Sequence, residues 1–427
     1  MKNSLNNLLT IINIDRFESK INIMETPCYV YDLKLLENTL TELNNSTKEY
    51  NYMIHYAIKA NTDVRINKMI ANKGLGADCV SGNEIIHALK CGYRPEKIVF
   101  AGVGKTDKDI ISGLRSEIGC FNIESSQEID VINSLAIQMG KKARIAIRVN
   151  PDVNAETHEY ITTGLNENKF GVSYLNLMKI IEQIEGLSNV ELTGLHFHIG
   201  SQITNMDNFM DLCNKVNIIL DELRDEGIYI KHLNMGGGLG IDYNDPDNHL
   251  IPDFEQYFNI FKYHLNLEDF QILHFELGRS IVGQCGSLVT KVLYIKNGFE
   301  RNFAIVDAGM TDLLRPALYK AQHCIQQYND QVVENKCIYD VVGPICESSD
   351  VFGKNIHLPA LKRGDRLVIR SVGAYGEVMS NNYNLRDQPF KYYIDPCNGV
   401  EAMDKIKLAF PTYYSLKKTL EDDIILQ

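Results

Sequence analysis

The feature that most constrains this chain is the regular alternation of short β-rich runs with amphipathic helical patterns over its first two-thirds. Eight runs have strand length and composition, and they cover residues 52–58, 75–80, 97–101, 120–124, 144–149, 192–199, 230–235 and 270–276. Helical patterns lie between them, most clearly at residues 63–72, 82–91, 126–139 and 208–226. Eight alternating strands and helices predict a parallel sheet closed into a (β/α)8 barrel over residues 33–280.

A doubly wound open sheet is the alternative architecture for such an alternation. That fold usually has fewer strands, and it places a glycine-rich phosphate loop after its first strand. No G-x-G-x-x-G pattern follows the run at residues 52–58. We therefore expect the closed barrel, a TIM-like fold of the α/β class.

The pattern changes near residue 283, where short strand-like runs follow one another with turns and little helix between them. These runs cover residues 289–295, 303–307, 339–342 and 366–371. They predict an antiparallel β domain over residues 281–427. Residues 1–32 fit no barrel repeat, and their strand-like end at residues 28–31 predicts an N-terminal segment that pairs with the β domain.

Composition and charge limit the partners of this chain. The 43 Lys and Arg residues against 55 Asp and Glu give a net charge of −12, which argues against nucleic acid or an anionic membrane. No apolar run approaches the roughly 20 residues that span a bilayer, and the N-terminus makes a poor signal peptide. The ten cysteines form no C-x-x-C pair, which indicates reduced thiols. We expect a cytoplasmic protein that acts on a small molecule.

Polar residues gather where the predicted barrel strands end. In a barrel of this kind, catalytic groups come from the carboxyl ends of the strands. The residues at those ends are Lys59, Asp78, Glu124, Arg148, Asn150, His198, the glycine loop 236–240, Glu276, Gly278 and Arg279. Each alone has an ordinary explanation, such as a solvated charge or a tight turn. Their coincidence on one rim indicates a functional site.

These residue types together suit one cofactor. Lys59 can form a Schiff base, and the glycine loop with Arg279 can hold a phosphate. A carboxylate such as Glu276 can keep a pyridine nitrogen protonated, while His198 can lie flat against an aromatic ring. This set is what pyridoxal phosphate requires. The pair His196 and His198 resembles a metal site only superficially, and we expect no metal.

The chain resembles the fold-type III pyridoxal-phosphate-dependent decarboxylases, and the resemblance extends from about Thr26 to Tyr393. The barrel motifs that carry the resemblance are residues 56–61, 76–78, 81–84, 148–151, 169–171, 196–202, 236–240 and 276–279. Those of the β domain are residues 307–310, 314–319, 343–350 and 373–376. So many motifs in the family's order make the resemblance specific.

The resemblance implies a role for each matching residue. Lys59 would bond covalently to the cofactor, His198 would stack on its ring, and Glu276 would pair with its pyridine nitrogen. Asp78 and Glu84 would support the lysine. The phosphate would be held by Ser201, Gly237, Gly238, Gly278, Arg279 and Tyr375.

The β-domain motifs resemble the branch of the family that acts on diaminopimelate and yields lysine. In that branch, the groups matching Arg279, Arg315, Tyr319, Glu347 and Tyr375 contact the substrate. Cys346 would protonate the substrate carbon after carbon dioxide leaves. The resemblance also implies a homodimer in which Cys346 and Glu347 complete the partner's site.

Three other functions stay open beside this one. A decarboxylase of ornithine, arginine, lysine or carboxynorspermidine would share the fold, but Arg315 and Tyr319 suit a substrate tail that carries a carboxylate. A racemase would pair the pyridine nitrogen with an arginine instead of Glu276. A non-catalytic regulatory relative would tend to lose Lys59 or Glu276. One departure from the family is Leu277, where a proline is usual.

Overall fold

The computed structural model describes residues 24–151, 169–328 and 336–395, together with the backbone of residues 399–403. Its strands are β1 (Cys28–Asp32), β2 (Tyr52–Ala57), β3 (Gly76–Cys79), β4 (Ile98–Phe100), β5 (Cys120–Ile123), β6 (Ala143–Asn150), β7 (Val172–Ser173), β8 (Val190–His196), β9 (His232–Asn234), β10 (Ile272–Leu277), β11 (Gly286–Asn297), β12 (Asn302–Val306), β13 (Ile325–Gln327), β14 (Cys337–Val342), β15 (Val351–Leu358), β16 (Arg366–Ile369), β17 (Phe390–Asp395) and β18 (Gly399–Met403). Its helices are α1 (Leu33–Thr47), α2 (Val64–Asn72), α3 (Gly82–Cys91), α4 (Asp107–Ser116), α5 (Ser126–Met139), α6 (Leu177–Glu185), α7 (Asp207–Asp225), α8 (Phe254–His264), α9 (Arg279–Val282) and α10 (Arg315–Tyr319). The predicted segment before residue 24 and the end of the predicted β domain after residue 403 lie outside the described residues.

The described chain divides into two compact units. The barrel unit comprises residues 37–151, 169–241 and 251–281. The β unit comprises residues 24–36, 242–250, 282–328, 336–395 and 399–403. Residues 242–250, which directly follow the glycine loop, thus group with the β unit.

The barrel unit closes as the alternation predicts. Its strands pair in the order β2-β3-β4-β5-β6-β8-β9-β10, and β10 pairs with β2 to close the ring. All these pairings are parallel, which confirms the (β/α)8 barrel. Every predicted strand overlaps an observed one. The short strand β7 adds a pairing beyond the ring, at the end of β6.

Local capping explains why several helix limits could be read from the sequence. The Ser81 and Ser125 hydroxyls accept hydrogen bonds from the first turns of α3 and α5, as N-cap residues do. Gly92 and Gly140 end the same helices in the left-handed conformation, with φ of 96° and 60°. Both helices have the limits that the sequence predicts.

The β unit is built on the long strand β11. β11 pairs with β1, β12 and β16, and the sheet runs β15-β14-β12-β11-β1-β17-β18, with β13 attached to β16. Most pairings are antiparallel, as predicted, but β1 pairs with β17 and β12 with β14 in parallel. The sheet is therefore mixed, because these partners are joined by long crossovers rather than by hairpins.

Two further observations concern the described residues as a whole. None of their helices has both the length and the apolar character needed to cross a bilayer. Nine of the ten cysteines lie among them, and all nine are free thiols. Cys397 lies outside the described residues.

Three histidines form a hydrogen-bonded chain inside the barrel, on β2, β10 and β9. His55 Nδ1 lies 3.0 Å from the Lys97 carbonyl, and His55 Nε2 lies 2.9 Å from His274 Nδ1. His274 Nε2 lies 2.9 Å from His232 Nδ1. Because a carbonyl only accepts, His55 donates from Nδ1. With all three rings neutral, each ring in turn donates from its Nδ1 to the next acceptor. Burial lowers the pKa of His55 to about 4 and lowers the pKa values of His274 and His232.

These three neutral histidines predict that the folded protein loses stability in mild acid. Unfolded histidines take up protons near pH 6.5, whereas His55 stays neutral in the fold down to about pH 4. The stabilisation is therefore present above pH about 6.5 and declines as the pH falls, by about 1.4 kcal/mol per pH unit for each neutral histidine. Urea unfolding at several pH values measures this slope. The slope should be shallower in His55→Gln and unchanged in the control His264→Gln, whose side chain is exposed; equal slopes in wild type and His55→Gln would contradict the prediction.

Candidate active site

The predicted lysine stands directly after β2, in a short 3-10 turn at Ile58–Ala60. Its Nζ lies 2.6 Å from Oδ2 of Asp78, which is fully buried on the neighbouring strand β3. The structure thus pairs the Lys59 ammonium group with one of the two carboxyl groups that the resemblance assigns to its support.

Two carboxyl groups near this lysine have raised proton affinity. Burial and the charge of Glu276 raise the pKa of Asp78 to about 6, against the opposing charge of Lys59. Burial also raises the pKa of Glu84 to about 7, although its Oε2 accepts a hydrogen bond of 2.7 Å from the Val80 amide. Carboxyl groups in this range can take up and release a proton near neutral pH.

Glu276 on β10 is held by side chains from three other strands. Its Oε1 accepts hydrogen bonds from Asn122 Nδ2 at 3.1 Å and Asn234 Nδ2 at 2.7 Å, and its Oε2 accepts from His196 Nε2 at 3.1 Å. Burial alone would raise the pKa of this carboxyl. The hydrogen bond and charge of His196 outweigh burial and hold the pKa well below its usual range. Glu276 is therefore an ionised carboxylate inside the barrel, suited to a cationic ring nitrogen.

The three residues that hold Glu276 were not assigned this role from the sequence. Each lies two positions before a predicted strand-end group: Asn122 before Glu124, His196 before His198, and Asn234 before the glycine loop. Side chains two apart on a strand share one face, so these positions also point toward the barrel interior. This spacing is the signal that could have found them.

His198 follows β8 and adopts one defined tautomer. Its Nδ1 accepts a hydrogen bond of 3.2 Å from the Gly237 amide, so its ring proton resides on Nε2. Desolvation and the charge of Arg148 lower the pKa of His198 to about 3. The ring is therefore neutral, as a flat stacking surface for an aromatic cofactor requires.

The glycine loop has no room for side chains. A Cβ atom on Gly237 would overlap the carbonyl oxygen of Glu276. Gly238 has a φ of +106°, and its Cβ would approach the Gly200 carbonyl within 2.6 Å. On the same unit, Arg279 Nη2 lies 3.0 Å from Ser201 Oγ, and Gly278 precedes Arg279 at the start of α9. A loop without side chains beside a fixed cation lets a phosphate group approach the backbone closely.

Glu124 ties together three loops at the rim of the barrel. Its Oε1 accepts from Arg148 Nη1 at 2.8 Å and from the Gly102 amide at 3.1 Å, and its Oε2 accepts from the Gly171 amide at 2.7 Å. Burial opposes ionisation here, but Arg148 and the Gly171 amide hold the pKa of Glu124 below its usual range. Arg148 also lies over the Phe170 ring, 4.7 Å from its centroid.

A second buried ion pair supports this arrangement and was missed in the sequence. Lys105 is fully buried and donates to Glu128 Oε1 at 2.6 Å and to the carbonyls of Gly102 and Asn122. Glu128 Oε2 in turn accepts from the Glu124 amide at 2.7 Å. Lys105 follows a glycine in a loop, where a solvated side chain is the usual outcome.

The remaining predicted residues lie in the β unit, and their roles stay predictions. Arg315 is buried at the start of α10, and Tyr319 is half-buried at the end of the same helix. Tyr375 has a left-handed φ of 55°. Glu347 is exposed and accepts a hydrogen bond of 3.0 Å from the Tyr383 hydroxyl, and the neighbouring Cys346 is exposed as well.

Comparisons with known proteins place the barrel in a protein family and give relatives over most of the chain. Residues 34–283 match the family model described as the pyridoxal-binding domain of pyridoxal-dependent decarboxylases. The chain is 51% identical over 387 residues to a diaminopimelate decarboxylase of Bacteroides thetaiotaomicron, which covers 90% of this chain and 98% of that protein. It is 41% identical over 374 residues to the diaminopimelate decarboxylase of Vibrio cholerae, with 87% and 88% of the two chains covered.

A solved structure is similar over nearly the whole fold. The crystal structure of diaminopimelate decarboxylase from Helicobacter pylori, complexed with L-lysine, superimposes with a TM-score of 0.86 at 37% sequence identity. The match covers 95% of this chain and 100% of that one.

The buried pair of Glu124 and Arg148 predicts a large effect on stability. Glu124→Gln should lower the free energy of unfolding by about 3 kcal/mol, because Arg148 would stay buried without its counter-charge. Denaturant unfolding measures the loss. The control Glu191→Gln breaks a 3.5 Å pair with Lys142 in which both side chains are more than half exposed, and it should cost no more than about 0.5 kcal/mol. Equal losses in the two variants would show that the buried pair is not stabilising.

Proposed function

Because the chain belongs to the diaminopimelate decarboxylase family of pyridoxal-dependent enzymes, we propose that it converts meso-diaminopimelate to L-lysine and carbon dioxide. This reaction is the last step of lysine biosynthesis. The observation that carries the proposal is the ionised Glu276, held by three donors inside the same barrel rim that carries Lys59. A lysine and a fixed carboxylate are the two groups that a pyridoxal decarboxylase needs around its cofactor.

The residues present fit pyridoxal phosphate. Lys59 would bond to its aldehyde carbon, Glu276 would hold its ring nitrogen, and the neutral His198 would stack on its ring. The backbone at Gly237 and Gly238, where no Cβ can stand, would receive its phosphate. When bound, the cofactor supplies an electron-withdrawing ring that accepts the electron pair left behind as carbon dioxide departs.

The chain's own groups prepare this reaction. Asp78 lies 2.6 Å from Lys59 Nζ, so its carboxyl group orients the lysine side chain and balances the charge of the ammonium group. Glu276 keeps its charge, because three donors stabilise the carboxylate and its pKa is low. The neutral ring of His198 would cover one face of the bound cofactor.

We assign the specificity for a dicarboxylic substrate to the β unit. Arg315 and Tyr319 would bind the distal carboxylate, and Glu347 would bind the distal ammonium group. Cys346 would deliver the proton to the substrate carbon, and Tyr375 would contact phosphate or substrate. The exposure of Cys346 and Glu347 is compatible with a homodimer in which they serve the partner's site. We propose the cytoplasm as the location of this enzyme.

The test is an assay of purified protein with pyridoxal phosphate and meso-diaminopimelate, followed by detection of L-lysine and carbon dioxide. Lysine should form, because the distal groups of this substrate match Arg315 and Glu347. Lys59→Ala should lose both turnover and the visible absorbance of covalently bound cofactor. The control Lys68→Ala removes an exposed lysine of α2 and should retain both.

Parallel assays with ornithine, arginine and lysine decide between the family's substrates. Turnover of one of these with none of diaminopimelate would overturn the proposed specificity. Bound cofactor without turnover of any of the four would overturn the proposed enzymatic function.

A further inference from the structure

We infer that His323 is a positioning residue for substrate specificity, which fixes the Arg315 guanidinium group in the orientation that receives the distal carboxylate of the substrate. This inference rests on the proposed function and adds a residue to it. His323 belongs to none of the motifs singled out in the sequence. It lies between α10 and β13, in the β unit.

The hydrogen bonds of His323 determine its tautomer. Its Nδ1 lies 2.8 Å from the Arg370 carbonyl oxygen, which can only accept, so Nδ1 carries the proton. Its Nε2 is then a lone-pair acceptor, and it lies 2.9 Å from Arg315 Nη1. Arginine donates and never accepts, so Arg315 is the donor in this hydrogen bond and His323 Nε2 is the acceptor. The Arg370 carbonyl thus prepares His323 as an acceptor for the guanidinium group.

An aromatic ring fixes the plane of the same guanidinium group. Arg315 Cζ lies 4.6 Å from the centroid of the Tyr243 ring, within the range of a cation–π contact. The Tyr243 ring also meets the His323 ring edge-on, with centroids 4.9 Å apart and planes at 78°. Arg315, His323 and Tyr243 are each less than 9% exposed. The guanidinium group is therefore held in its plane by one ring and at one nitrogen by the other.

Backbone hydrogen bonds place both rings. The Cys324 amide donates to the Tyr243 carbonyl at 3.1 Å, and the Arg370 amide donates to the Cys324 carbonyl at 2.9 Å. An ion pair of 2.9 Å between Arg370 and Asp247 joins the strand end to the segment that carries Tyr243. His323 and Tyr243 thus approach Arg315 from segments that are themselves tied together.

This arrangement matters for binding because arginine recognises a carboxylate through a planar fork with fixed geometry. A long side chain ordered before the substrate arrives loses less conformational freedom on binding. His323 should therefore contribute to the affinity for a dicarboxylic substrate. It should contribute little to the bond-breaking step, which depends on Lys59 and Glu276.

The experiment measures kcat and KM of the cofactor-loaded enzyme with diaminopimelate. His323→Leu removes both ring nitrogens, and it should raise KM about 10-fold or more, the usual effect of losing a hydrogen bond to a charged group. The change in kcat should be small. His323→Gln should restore much of the wild-type KM, since its Oε1 can take the place of Nε2. His323→Asn keeps a polar group too short to reach Arg315, and it should behave like His323→Leu.

A double-mutant cycle separates positioning from general packing. If His323 acts through Arg315, then adding His323→Leu to Arg315→Lys should raise KM little beyond the effect of Arg315→Lys alone. The control His357→Leu replaces an exposed histidine of β15 and should leave KM unchanged. Thermal unfolding and cofactor absorbance of each variant identify any that fail to fold. If His323→Leu fails to fold, the comparison of KM between His323→Gln and His323→Asn decides.

The outcomes distinguish this inference from the proposed function. A wild-type enzyme that does not turn over diaminopimelate overturns the proposed function and this inference with it. An active wild type whose KM is unchanged in His323→Leu and His323→Asn overturns the positioning role alone. Independent, additive effects of His323→Leu and Arg315→Lys overturn it as well.

Discussion

The structure depends on keeping one negative charge inside the barrel, at Glu276. An ionised carboxylate out of contact with water is costly unless donors surround it. Asn122, His196 and Asn234 supply those donors from three different strands. Closure of the parallel barrel brings these donors from separate strands to one point. Lys59, His198 and the glycine loop are arranged around this carboxylate.

Features set by local sequence could be predicted, and features set by closure of the barrel could not. The alternation of runs predicted all eight barrel strands, and the helical patterns predicted the limits of α3 and α5. The strand-end groups followed from the general position of active sites in this fold. The donors to Glu276, the buried Lys105 and the chain through His55 were missed, because their partners come from other strands and loops. The two parallel pairings of the β unit were missed for the same reason.

The barrel interior separates charged from neutral polar groups. Glu276 and His274 lie two apart on β10 and share a face, as do Asn234 and His232 on β9. Asn234 and Glu276, nearer the carboxyl ends of these strands, belong to the hydrogen bonds around the carboxylate. His232 and His274, one layer below, belong to the neutral imidazole chain. The lower chain adds no charge to the barrel interior, because its three histidines are neutral.

The contact between Gly237 and the Glu276 carbonyl limits how this site can change over evolution. Any side chain at Gly237 would push the backbone of β10 and move the carboxylate away from its three donors. The backbone position of the glycine loop and the position of the Glu276 carboxylate are consequently coupled. A redesign of this barrel has to treat Gly237 and Glu276 together.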